Sequence, residues 1–349
     1  MASMENLQVY GIGNILIDIL VEVRDDDLKT LHLDKGIMKL VDEEERSGIL
    51  KHIESKPFTY NCGGSAPNTI INLAALGVRS ALSGKIGKDD FGRLYKDRLT
   101  ELGVRSYLSE GDNVSTGSSI VLMTPDAERT MNTALCANRS YSVENINPEA
   151  IREADYLYFT GYMWDTESQK KALQAAIDIA VEAGTKIAFD VADPFAVTRY
   201  KDDFLVLIEK YFDIVFANAD ECRLLFPDLQ GGRPGPEDPA VTEGIKRLSN
   251  ICRVAVVKNG SYGSAVKSGS EIHSIPVHKV KAADTTGAGD MYAAGFLTGI
   301  CRGYTMDKAG LLGSWLASRI VEEIGAQFPS EKREKILKEI ADGDWDFMK

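Results

Sequence analysis

Asp155-Tyr156-Leu157-Tyr158-Phe159 and Lys186-Ile187-Ala188-Phe189-Asp190 are two short apolar runs with one helix-length interval between them. Within that interval Leu173, Ala176, Ile177 and Ala180 recur at helical spacing, which predicts a helix over 166–183. Thr166 with Gln169 makes a capping box at its start, and Gly184 stops it. Strand, helix, strand at this spacing is the unit of a parallel sheet. The unit repeats toward the C-terminus, with further apolar runs at 213–217 and 253–257. The expected class is therefore α/β, a central, mostly parallel sheet flanked by helices on both faces. Ligands of such sheets sit at the carboxyl ends of the strands.

Toward the N-terminus the pattern changes. Residues 15–24, 36–41, 106–109, 117–123 and 129–133 read as strands without helices between them, around a helical block at 65–102. Two separated segments then build a small, mostly antiparallel β-sheet lid. The expected division is a core of 1–14, 63–105 and 135–349 and a discontinuous lid of 15–62 and 106–134. The stretch 227–239, with four prolines and three glycines, reads as a surface loop.

Hydrophobic residues make up 44% and charged residues 26% of the 349, the mix of a globular protein. A net charge of −12 argues against nucleic acid and against an anionic membrane as partners. It leaves a small anionic ligand open, because such sites use local N–H groups. The five cysteines are scattered and never spaced C-x-x-C, as expected of reduced thiols, and no apolar run approaches the roughly 18 residues of a membrane span. A cytoplasmic location is the expectation, with monomer and homodimer both open.

The strongest chemical signal is Asp284-Thr285-Thr286-Gly287-Ala288-Gly289-Asp290, which precedes a helix expected over Met291 to Arg302. Gly287, Ala288 and Gly289 let backbone N–H groups converge on an anion at a helix N-terminus. Asp290 then stands beside a bound phosphate, where a base for an attacking hydroxyl belongs. The alternative is a helix cap with a turn-forming glycine pair.

Asn61-Cys62-Gly63-Gly64-Ser65-Ala66-Pro67-Asn68 combines a glycine pair with a proline suited to a first helical turn. It reads either as a turn into a helix or as a ligand loop, with Asn68 aimed at a polyol. Asp18 lies inside an apolar strand, where a carboxylate needs partners such as two sugar hydroxyls, unless a strand end gives it to water. Asn218 and Glu221 follow the run 213–217 and read either as a helix cap or as an orienting pair for Mg2+ through waters. Arg129 is a candidate phosphate clamp. Lys258-Asn259-Gly260-Ser261-Tyr262-Gly263 is a glycine-rich link that also fits a plain hairpin. The dinucleotide fingerprint fails after Gly13, and Gly84-Lys85 lacks the rest of a phosphate-binding loop motif.

In this order the pieces resemble the ribokinase (PfkB-type carbohydrate kinase) family along nearly the whole chain. The resemblance implies a ribokinase-like core with a β lid, ATP with Mg2+, and phosphate transfer to a hydroxyl with Asp290 as base. It also implies a monovalent-cation loop (K+) near Asp284 and Thr286. The ATP side would then use Asn218, Lys258, Gly260, Gly263 and Thr286, with Glu221 near the metal.

Within the family the chain is most similar to the adenosine kinase branch. Gly13-Asn14-Ile15-Leu16-Ile17-Asp18, Gly63-Gly64-Ser65 with Asn68, Ala192-Asp193-Pro194-Phe195 and Gly325-Ala326-Gln327-Phe328-Pro329 carry that likeness. The acceptor side implied is Asp18, Asn14, Gly63, Gly64, Ser65, Asn68, Arg129 and Tyr162. Tyr162, Met163, Trp164 and Phe195 are the expected purine-stacking surfaces. Thr286 and Met38 depart from the branch, which carries Asn and Gln there. The rival readings are a kinase of ribose, fructose or a keto-deoxy sugar acid, and a non-catalytic ligand-binding regulator on the same fold.

Overall fold

The computed structural model describes residues 6–126, 128–229, 235–343 and 345. Of the proline-rich stretch, 230–234 lie outside the described residues. The chain runs β1 (Val9–Ile12), β2 (Leu16–Glu22), β3 (Met38–Leu40), β4 (Phe58–Gly63), β5 (Ser80–Gly87) and β6 (Arg105–Gly111). It continues through β7 (Gly117–Met123), β8 (Arg129–Ala134), β9 (Tyr156–Thr160), β10 (Lys186–Asp190) and β11 (Ile214–Asn218). β12 (Val254–Lys258), β13 (Ser264–Ser268) and β14 (Glu271–Ile275) complete the strands. The large sheet has the order β14-β13-β12-β11-β10-β9-β1-β5-β6. It is parallel from β6 to β12, and β13 and β14 turn back antiparallel.

The strands of this sheet are apolar on both faces because both faces are covered. Tyr156 and Tyr158 face one layer with helices Ser65–Ala75, Ala288–Cys301 and Met306–Ile320. Leu157 and Phe159 face the other, with helices Glu167–Ala183 and Pro194–Tyr211. Helix Glu167–Ala183 begins and ends as its sequence dictates. The Thr166 hydroxyl accepts from Gln169 N–H, and Gly184 takes a left-handed φ of 77°.

The small sheet has the order β3-β8-β7-β2-β4 and is mixed: β2 pairs antiparallel with β4 and β7 with β8, whereas β2–β7 and β3–β8 are parallel. Several details differ from the sequence expectation: the small sheet is not mostly antiparallel, and β5 runs through the stretch 65–102 that was expected to be a helical block. The strand expected at 106–109 in the lid is β6, which pairs with β5 at the edge of the large sheet. Strand alternation in a short segment does not say which sheet it joins. Helices Asp25–Thr30 and Glu43–Ile53 interrupt the segment read as all strand, and β4 was not expected. Both helices cover the outer face of the small sheet, where Leu28, Ile49 and Ile53 pack with Ile17, Ile19, Val21, Ile120 and Leu122. The alternate residues of β2, Leu16 and Asp18, face the opposite way, into a cavity.

Helix Ala288–Cys301 is set close against helix Met306–Ile320 by small residues. A side chain at Gly295 would meet Gly313 Cα at 2.8 Å, and one at Gly299 would meet Ala309 Cα at 2.8 Å. Gly295→Val should therefore cost about 1–3 kcal/mol by overpacking. The expected reading is a lower urea midpoint at an unchanged m-value, and an unchanged midpoint would contradict this packing.

Candidate active site

Asp290 stands in the first turn of helix Ala288–Cys301, whose N-cap is Gly287 in a left-handed conformation (φ 73°). Intrahelical bonding begins with Met291 N–H donating to Gly287 O at 2.8 Å, so the N–H groups of Gly289 and Asp290 have no acceptor within the helix. That of Ala288 reaches Thr285 O at 3.3 Å. The helix opens three residues earlier than expected, which puts Asp290 inside the turn that would receive an anion. Helix Ser65–Ala75 starts directly opposite, after Gly64 at φ 96°. Ser65 Oγ donates to Asp290 Oδ1 at 2.7 Å and Asn68 Nδ2 to Oδ2 at 3.1 Å. Burial pushes the Asp290 carboxyl up to about 6, against the lowering effect of these two hydrogen bonds.

A cavity of about 200 Å³ extends from Asp290 under the small sheet. Asn14, Asp18, Gly64, Ser65, Asn68, Tyr162 and Thr286 all line it, so the structure gathers most of the expected acceptor residues. Gly63 lies behind Asp18, where any side chain would collide with the carboxylate. Burial, and then the nearby Asp290 charge, push the Asp18 carboxyl up to about 7. Asn14 is oriented by Gln169, whose Nε2 donates to its Oδ1 at 2.8 Å. The Tyr162 hydroxyl donates to Asp193 Oδ2 at 3.0 Å. The lining also includes the apolar side chains of Leu16, Met38, Leu40, Met131, Leu135 and Phe195, together with the polar Ser119, Thr133 and Asp165.

Arg129 reaches from β8 to the glycine-rich turn before Asp290. Its Nη2 lies 2.6 Å from Asp284 Oδ2, and Nη1 donates to Thr286 Oγ1. Asp284 also accepts from Thr286 N–H and Gly325 N–H, each at 2.8 Å. These backbone hydrogen bonds and Arg129 outweigh burial and hold its carboxyl below the usual range. Oδ1 thus accepts from Thr286, and Oδ2 from Gly325 and Arg129. Asp18, Arg129 and Thr286 also line a second cavity, of about 450 Å³, that runs to 324–330.

The remaining expected residues do not line either cavity. Asn218 and Glu221 form a capping box: Glu221 Oε2 accepts from Asn218 N–H and Oε1 from Asn218 Nδ2, both at 2.7 Å. Glu221 is 1% exposed, and burial raises its carboxyl. Gly260 and Gly263 shape a tight hairpin between β12 and β13, closed by Asn259 N–H donating to Gly263 O at 2.8 Å. Lys258 precedes it, its ammonium 2.8 Å from Asp190 Oδ2.

Among the described residues no cluster of three or more His, Cys, Asp or Glu suits a metal, and no helix is long and apolar enough to cross a membrane. A Mg2+ at this site would keep most of its ligands as water and phosphate oxygens. Glu221 and Asn218 fit only an outer, orienting role.

Two expected stacking surfaces are corrected. Met163 and Trp164 are core residues, 1% and 8% exposed, and the Trp164 indole donates to Asp203. They lie in a 3-10 turn that points them into the layer beneath, and of the four only Tyr162 and Phe195 line the cavity. Sequence reading missed Leu16, Leu40, Met131 and Leu135, which carry no signal beyond ordinary apolar patterning. It also missed Asp190, although a carboxylate closing an apolar strand at its carboxyl end was visible.

A buried carboxylate, set against N–H groups left without intrahelical acceptors at a helix N-terminus, is suited to moving an anionic group onto a hydroxyl. The class this defines is a small-molecule phosphotransferase. Residues 33–333 match the model of the pfkB family carbohydrate kinases, and the chain belongs to that family. It is similar to the crystal structure of adenosine kinase from Sinorhizobium meliloti, with 31% identity, 97% of this chain and 99% of that one covered, and a TM-score of 0.85. A probable sugar kinase protein from Rhizobium etli is similar at 30% identity over 97% and 99% of the chains, with a TM-score of 0.86. Adenosine kinase of Saccharomyces cerevisiae is 26% identical over 331 residues, covering 92% of this chain and 96% of the yeast protein. Family membership implies ATP as phosphoryl donor.

The raised carboxyl of Asp290 gives a pH dependence with a fixed sign. A base works only when ionised, so kcat/KM should fall as pH is lowered through about 6. A profile flat down to pH 5 would contradict the assignment.

Proposed function

We propose that the protein phosphorylates the primary hydroxyl of a nucleoside, adenosine to AMP in the first instance. The observation that carries this reading is the mixed lining of the cavity. Asp18, Ser65 and Asn68 gather around Asp290, and Leu16, Met38, Leu40, Leu135 and Phe195 add apolar surface to the same cavity. A ribose carrying a flat aromatic base uses both kinds of lining, whereas a free sugar leaves the apolar surface unmatched. The similarity to adenosine kinases supports the same reading.

In this mechanism Asp18 accepts hydrogen bonds from two acceptor hydroxyls and Asn68 fixes the ring. Asp290 takes the proton of the attacking hydroxyl. The N–H groups of the turn from Gly287 to Asp290 hold the charge that develops on the phosphoryl oxygens. Asn218 and Glu221 would be the residues to orient the waters of a bound Mg2+, whose chemistry would be to neutralise phosphate charge. Arg129, fixed between Asp284 and Thr286, keeps the small sheet against the turn and excludes water from the reacting atoms. The domain reading that follows is a small sheet acting as a lid over the acceptor.

A side-by-side comparison of adenosine, inosine, ribose and fructose at subsaturating concentration tests the proposal. Stacking and burial of a base are worth about 1–3 kcal/mol, or roughly 5- to 150-fold in kcat/KM. Adenosine should exceed both free sugars by that margin. A higher kcat/KM for ribose or fructose would overturn the nucleoside reading and favour a sugar kinase.

A further inference from the structure

Asp190 and Lys258 close β10 and β12, with β11 between them. Register places Asp190 level with Phe216 and Lys258 level with Asn218. Two strand spacings are roughly 10 Å, so only a long side chain lying back across β11 can join them. Lys258 does so, with its ammonium 2.8 Å from Asp190 Oδ2. The pair is nearly closed to solvent, with side-chain exposures of 14% and 3%. A buried ion pair of this kind is weak evidence for stability alone, since desolvation offsets most of its attraction.

Its position is the informative feature. A Cβ at Gly289 would lie 3.2 Å from Lys258 Nζ, with no other atom from beyond its own helical turn within 4 Å. Gly289 has no left-handed φ, so what its missing side chain provides is space between the ammonium and the anion-binding turn. The same ammonium faces Asp190, Glu221 and Asp290.

We propose that Lys258 is a catalytic residue whose ammonium contacts the transferring phosphoryl group, and that Asp190 is the positioning residue that holds it there. During transfer a bond forms between the acceptor oxygen and the γ-phosphorus. The bond from that phosphorus to the bridging oxygen breaks, and its electron pair leaves with ADP. The acceptor proton goes to Asp290. Lys258 exchanges no proton; it donates hydrogen bonds to a phosphoryl oxygen as negative charge accumulates. Asp190 keeps the ammonium from collapsing onto the Asp290 carboxylate, where it would neutralise the base.

The inference rests on the phosphoryl site described above. Its test is the kinetics of Lys258→Met, Lys258→Arg, Asp190→Asn and the double variant Asp190→Asn/Lys258→Met, with Asp290→Asn as reference. Lys258→Met should lower kcat about 10²–10³-fold with acceptor KM little changed, as for loss of one oxyanion donor. Lys258→Arg should recover part of that loss. Asp190→Asn should lower kcat about 10- to 100-fold through misplacement, and the double variant should be no slower than Lys258→Met alone.

The acid limb of the rate profile adds a readout that a structural role would not move. Charged or titratable groups facing Asp290 include Asp18, Asp190, Lys258, Tyr158 and Tyr162. Removing the cation should shift the limb to higher pH, and removing the Asp190 charge should shift it to lower pH. Wild-type kcat in Lys258→Met, or additive losses in the double variant, would overturn the proposal. Full activity in Asp290→Asn would instead overturn the phosphoryl site itself.

Discussion

The Asp290 carboxylate is shared by two helix N-termini, and the rest of the site is arranged around that contact. Helix Ala288–Cys301 carries it, and helix Ser65–Ala75 donates to it through Ser65 and Asn68. Each helix begins at a glycine with a positive φ, Gly287 and Gly64, so the chain turns sharply enough for the two ends to meet. Burying an acid between them raises its pKa to about 6, within reach of a working base at neutral pH. The close seating of helix Ala288–Cys301 on helix Met306–Ile320 through Gly295, Gly299, Ala309 and Gly313 fixes where that base stands.

The small sheet completes the site through strand alternation. β2 sends Ile17, Ile19 and Val21 outward under its two covering helices and Leu16 and Asp18 inward. β8 does the same with Arg129, Met131 and Thr133, which face the cavities. The Arg129–Asp284 ion pair then ties this sheet to the glycine-rich turn before Asp290. Asp18 and Asp290 line the same cavity, and the Asp290 charge adds to burial in raising the Asp18 carboxyl.

Much of this was legible in the sequence. The helix from Thr166 to Gly184, the strands at 156–160 and 186–190, and the glycine-rich turn before Asp290 follow from local chemistry that acts within a few residues. What was not legible depends on contacts distant in the chain. Whether 105–111 joins the large or small sheet is decided by pairing with β5, and the helices at 25–30 and 43–53 form because the small sheet needs cover. Lys258 meets Asp190 across a sequence separation of 68. Trp164 looked like a stacking surface, but a 3-10 turn after β9 directs it into the core.

The central claim is that Asp290 acts on the proton of the acceptor and not on binding. Calorimetric titration of Asp290→Asn with adenosine and with a non-hydrolysable ATP analogue, paired with its turnover, measures the two separately. The claim requires both ligands to bind within a few-fold of wild type while turnover falls about 10²–10⁴-fold. Wild-type turnover, or a loss of activity that follows wholly from lost binding, would contradict it.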